Sequence, residues 1–205
     1  MSLMTLPLLP GEIAWYATGR FYAADDGTLA DYGYFLHLPF PDVPLFDGPP
    51  GAPPSEATAH FTFAARPFTA GGVANGALSL SLDPVGEFSL YLQRQPAASF
   101  DRPASFARGE RIATFRRTSL VAGTTVAVAV GAVLAPVAGG TIFSARLVDS
   151  LPFEFGGRLL DLADAIGAGI TQFGTSAATP VTPPPAGYTT MLPFTGSALA
   201  LGLAG

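Results

Sequence analysis

The amino-acid sequence predicts an all-β fold: an antiparallel sheet closed or nearly closed into a barrel of about 8–10 strands, with at most one short helix. Three observations predict it. Hydrophobic residues make up 49% of the chain and charged residues only 12%, so a sizeable core can form. The 24 Gly and 20 Pro punctuate the chain too densely for long helices. Apolar residues recur at every second position in one segment after another, the period of a strand with one buried face. A β-sandwich is the alternative closure. The 205 residues fit one domain.

At the N-terminus, Met1-Ser2-Leu3 ahead of Met4 reads as a short cloning scar. No basic residue precedes Arg20 and Glu12 interrupts the apolar stretch, so no signal peptide is visible and a cytoplasmic location is expected. The first hairpin joins Ile13–Ala23 to Thr28–Leu38 through Asp26-Gly27, a dipeptide favoured in two-residue type I′ turns. That turn sets Trp15 opposite Leu38, Ala17 opposite Leu36, Gly19 opposite Tyr34 and Phe21 opposite Tyr32, all on one apolar face. Asp31, Phe35 and His37 then fall on the other face. Segment 39–54 is Pro-rich and reads as a long exposed loop.

Thr58–Ala65 reads as a strand with Phe61 and Phe63 on one face and His60 on the other. Asn75-Gly76 marks a turn. A second hairpin is expected from Leu78, Leu80 and Leu82 facing Phe88, Leu90 and Leu92 across a Pro84-Val85-Gly86 loop. Arg111–Val121 is the next strand. The stretch Thr118–Ala145 carries no charge, yet Val126, Val128 and Val130 alternate with Ala127, Ala129 and Gly131, which marks a strand and not a membrane span. That strand, Thr125–Leu134, ends at Pro136 and Gly139-Gly140, and Thr141–Val148 begins another. Leu159–Ile166 has helical spacing, and Ile170–Thr179 is a late strand. Pro183-Pro184-Pro185 forms a stiff spacer inside the uncharged segment 180–205, which is expected to pack on the barrel. Within it, Leu192-Pro193-Phe194-Thr195-Gly196 resembles the LPxTG sorting signal of Gram-positive surface proteins, but the short stretch after Gly196 holds no basic residue.

Several function classes find no support. The net charge is −5, and every basic residue is Arg with no basic cluster, which argues against a nucleic-acid surface. The all-Arg set reflects a genome's codon bias, and a bacterial origin fits it. Without Cys there is no disulfide, thiolate metal site or cysteine nucleophile. The two histidines, His37 and His60, lack HxH or HxxxH spacing, so no metal is expected. No GxSxG, GxGxxG or GxxxxGK[ST] motif is present, and no cofactor is expected.

The sharpest site signal is Arg116-Arg117. Adjacent strand residues point to opposite faces, so one guanidinium faces the interior. With Ile112, Thr114 and Leu120 inward it is Arg116. With Ala113, Phe115 and Val121 inward it is Arg117, with Arg111 on the same face. Such a group must be paired or hydrated, by a ligand carboxylate or enolate, by an Asp or Glu of the protein, or by water near a barrel mouth. Trp15, Tyr32, Tyr34, Phe61 and Phe63 complete the ligand-binding candidates, as rings lining a barrel with tyrosine hydroxyls for handles. The strand pattern resembles calycin-like and allene-oxide-cyclase-like barrels. That resemblance implies a shaped interior and transfers no residue, because no diagnostic motif matches.

The reading is a barrel that binds a small apolar or amphipathic molecule. The alternatives are a barrel isomerase or cyclase acting by substrate shaping, and a structural module that forms homo-oligomers through the uncharged tail.

Overall fold

Strands with one apolar face are stable only when that face is covered, and a sheet that curls back on itself covers it completely. The computed structural model describes residues 7–49, 51–65, 69, 71–75, 78–83, 86–118, 121–130 and 133–202. In chain order the elements are β1 (Ile13–Ala24), β2 (Leu29–His37), β3 (Phe61–Ala65), β4 (Gly71–Asn75), β5 (Leu78–Asp83), β6 (Glu87–Leu92), a 3-10 turn (Pro103–Ala107), β7 (Glu110–Arg117) and β8 (Val121–Val130). Then follow β9 (Val133–Ser150), β10 (Phe153–Phe155), β11 (Arg158–Leu160), α1 (Leu162–Ile166), β12 (Gly169–Ala177) and β13 (Tyr188–Ala200).

Eight strands close an antiparallel barrel, in the order β1-β2-β3-β6-β7-β9-β12-β13. This is the order of the chain itself, so the wall is an up-and-down meander. β9 pairs with β12, and β13 pairs with both β12 and β1, which completes the ring. The remaining β8, β5 and β4 build an outer sheet on the first half of β9. No helix among the described residues is long and apolar enough to cross a membrane.

The barrel is packed solid at one end. Phe61, Leu90, Leu92, Ile112 and Ile170 fill it from the wall, and Phe153, Leu160, Leu162 and Ile166 plug it from β10, β11 and α1. The plug helix starts at Leu162, three residues later than its apolar spacing suggests. Asp161 caps it by accepting from the Ala163 N–H at 2.9 Å, while Arg158–Leu160 is drawn into pairing with β10. Gly167, at φ +75°, ends it.

Four sequence expectations are corrected. The first hairpin is one residue out of register: Ala17 faces Phe35, Thr18 faces Tyr34 and Gly19 faces Gly33. Its loop is Asp25-Asp26-Gly27, closed by Ala24 N–H to Thr28 O at 2.9 Å, and only Gly27 takes a positive φ there. This is the three-residue loop with a left-handed glycine, whereas a type I′ turn needs two such residues. Asp26 fits it by accepting from the N–H and the hydroxyl of Thr28 at 2.9 and 2.6 Å.

The second hairpin does not form: β5 pairs with β4 and β8, and β6 pairs with β3 and β7. Alternation sets which side of a strand is apolar but leaves its neighbour open. Phe63 opposite Leu90 and Phe61 opposite Leu92 bring larger apolar pairs together.

Pro136 and Gly139-Gly140 do not end a strand either. β9 runs through all three, with Pro136 tolerated at a bulge opposite Ala127. β8 and β9 stay paired as far as Val130 opposite Val133. Finally, segment 39–54 is not wholly exposed: Phe40 and Val43 are buried in the core. The uncharged C-terminal segment supplies β13, so its LPxTG-like residues lie inside a barrel strand. The 1–3 scar, the Asn75-Gly76 turn and the Pro84-Val85-Gly86 loop include residues outside those described.

Candidate functional site

Toward the β1–β2 turn the packing stops and a cavity of about 260 Å³ opens. Its floor follows from strand parity. Trp15, Phe35, Phe88 and Phe115 face inward from β1, β2, β6 and β7 at one level. Phe88 and Phe115 stack at 5.2 Å, and the Trp15 ring stands edge-on to Phe115 at 5.4 Å and to Phe35 at 5.6 Å. The buried indole N–H donates to Gln172 Oε1 at 2.8 Å. Room for that amide comes from Gly196, where a Cβ would stand 2.2 Å from Gln172 Nε2.

Above the floor, Phe21, Phe63, Phe143, Leu192 and Phe194 form the walls. Glycines leave the space that these rings occupy. Gly19 and Gly33 face each other across β1 and β2, with Phe194 over the first and Phe63 over the second. Thr124, Thr125, Thr141, Thr175 and Ser176 also line the cavity.

Two charged side chains, Arg117 and Asp31, line the cavity among the described residues. The Arg117 side chain is only 4% exposed and Asp31 22%, with Arg117 Nη2 3.6 Å from Asp31 Oδ2. The Arg117 guanidinium carbon lies 5.0 Å from the Phe143 ring centroid, a cation–π contact. Arg117 faces inward because Ala113 and Phe115 do, while Arg116 faces out and bonds Glu87 Oε1 at 2.8 and 3.1 Å. The alternation does not carry down to Arg111. A bulge in β7 buries both Ile112 and Ala113, and Arg111 pairs with Asp149 at 2.9 Å.

The candidate residues therefore separate. Trp15, Phe63 and Arg117 line the cavity. Phe61 lies in the packed end against Phe153 and Phe155. Arg116 is outside. Tyr32 and Tyr34 belong to a second apolar cluster on the outer side of the wall, with Tyr22, Phe100, Phe106 and Met191. Three lining residues absent from the expected set, Asp31, Phe35 and Phe143, became inward through the hairpin register and the continuity of β9.

The outer cluster has its own electrostatics. Burial pushes the Tyr32 hydroxyl up to about 12, and its neighbour Tyr188 adds to the shift. Burial raises Tyr22 as well, and its hydroxyl donates to the Phe100 carbonyl at 2.9 Å. An unfolded tyrosine ionises near about 10. The unfolded chain therefore loses its phenolic protons first, and stability that is intact below about pH 10 is lost as pH rises through about 12. Tyr32→Phe should flatten that decline, read as Tm by circular dichroism from about pH 9 to about pH 11. An equally steep decline in the variant would clear Tyr32 of the effect.

His60 is buried and donates from Nδ1 to the Gln93 carbonyl at 2.9 Å, whereas His37 is exposed beside Tyr16. Among the described residues no group of three or more His, Asp or Glu converges. No family model, curated protein or solved structure matches the chain, so the meaning of this cavity rests on its own geometry.

Proposed function

We propose that the barrel interior binds a small, largely apolar molecule that enters at the Arg117 end. The observation that carries this reading is the contrast between the two halves of one barrel. One half is filled by side chains, while the other keeps about 260 Å³ among aromatic rings. An eight-stranded barrel is just wide enough either to be filled by its own residues or to hold one small ligand. The volume lies above the ~150 Å³ that accepts benzene and below the ~300 Å³ at which drug-sized pockets begin. A one-ring or two-ring molecule, or a short alkyl chain, matches that size. A shaped interior is also what the resemblance to calycin-like barrels implies, a likeness of strand pattern alone.

The only Trp of the chain, Trp15, lines the cavity and reports on its occupancy. Titration with 4-phenylbutanol should give a saturable change in its emission, excited where the phenyl ring does not absorb. Ala65→Leu puts a larger side chain into the cavity wall and should abolish the response. Emission that stays flat with this alcohol and with charged analogues of the same length would remove the reading.

A further inference from the structure

Resting on that reading, we infer that the ligand is an anion, a small apolar monocarboxylate whose head group binds Arg117 and displaces Asp31 from it. Asp31 is then a carboxylate supplied by the protein itself, holding the position the ligand's own carboxylate takes.

Four observations support this. Arg117 is the more deeply buried partner, 4% exposed, carried by a wall strand and covered on one side by Phe143. Asp31 stands nearer the mouth and is 22% exposed, so it can rehydrate by a side-chain rotation while Arg117 cannot. Their closest approach, 3.6 Å, exceeds the ~2.8 Å of a charge-assisted hydrogen bond, so this contact is attraction between charges without the two-pronged geometry a carboxylate can give a guanidinium. A ligand carboxylate placed in the cavity can adopt that geometry. The fourth observation concerns the other deep polar group. Gln172 already accepts from Trp15 and donates to the Phe173 carbonyl, which leaves Arg117 as the anchor for a head group.

The charge count agrees. A bare guanidinium in an aromatic cavity is costly to desolvate. Asp31 offsets that charge in the empty protein, and the ligand's carboxylate does so in the complex. The exchange gives up the attraction of Asp31 and desolvates the ligand's head group, regains the hydration of Asp31, and adds no unpaired buried charge. A cationic ligand would meet Arg117 with like charge. A neutral one would gain nothing from the exchange.

The test uses three molecules of equal length: 4-phenylbutyrate, 4-phenylbutanol and 4-phenylbutylammonium, each titrated against the full chain with Trp15 emission and calorimetry. The carboxylate should bind about 10-fold or more tighter than the alcohol, as a charge-assisted contact supplies. The ammonium should bind most weakly. Asp31→Asn removes the internal competitor and should tighten the carboxylate roughly 5-fold to 10-fold further relative to the alcohol. Arg117→Met should erase the preference for the carboxylate, and if that variant fails to fold, Asp31→Asn decides alone. An alcohol that binds as tightly as the carboxylate overturns the anion assignment and leaves the apolar cavity standing. An ammonium that binds tightest also overturns it, by making Asp31 the anchor. Failure of all three to bind removes the cavity reading itself.

Discussion

Gly33→Ala should destabilise the protein by about 3 kcal/mol, at the upper end of what overpacking usually costs. A Cβ on Gly33 would stand 2.2 Å from the Thr18 carbonyl oxygen, 2.6 Å from Cζ of Phe63 and 2.7 Å from the Gly19 Cα. The first and third of these are backbone atoms of the neighbouring wall strand, so no rotamer change relieves them. β1 and β2 would have to part at their tightest point, and Phe63 would have to leave the cavity wall. The expected loss corresponds to a fall in Tm of roughly 6–12 °C for a chain of this size. Gly140→Ala is the control. Its added Cβ meets only the Gly174 carbonyl, at 3.8 Å, and it should leave Tm unchanged. Equal effects of the two substitutions would mean that general strand preference is at work and not the close approach of β1 and β2.

Trp15→Ala should cost about 3–5 kcal/mol, the range for truncating a large buried aromatic. Trp15 is 2% exposed and meets Phe35, Phe88 and Phe115 edge-on, so its loss breaks the floor between the cavity and the packed half. It also takes the indole donor from Gln172 Oε1. Trp15→Phe should cost clearly less, because it keeps a ring in contact with its three neighbours. Urea denaturation followed by far-UV circular dichroism measures both variants without relying on Trp emission. A loss below about 1 kcal/mol for Trp15→Ala would show that this floor is not packed as described.

The class of fold was legible because alternation, turn residues and low charge all point one way, and none of them depends on distant partners. Strand faces were legible where one side is plainly apolar, as in β3 and β6. They were not where both sides carry rings. In β2, Tyr32 and Tyr34 alternate with Phe35, so hydrophobicity cannot choose the buried side, and the turn decides. Asp26-Gly27 is compatible with a two-residue and a three-residue loop, and the difference of one residue exchanges Tyr32 and Tyr34 for Asp31 and Phe35. The preceding Asp25 is the available hint, since it supplies a third loop residue of the right kind.

Arg116 and Arg117 were undecided for a related reason. The β7 bulge at Ile112–Ala113 breaks the count from Arg111, so only the residues nearest the dyad report its orientation. Partner choice was the least legible. That β6 selects β3, and that β5 is given to the outer sheet, depends on contacts made across the whole barrel.

β9 belongs to two sheets at once. Its residues around Gly139–Ile142 hold β12 on one edge and β8 on the other, so the strand that walls the cavity is also the root of the outer sheet. One stretch of backbone therefore carries both the cavity wall and the outer sheet, and through it Gly123, Thr124 and Thr125 of β8 come to line the cavity from that sheet.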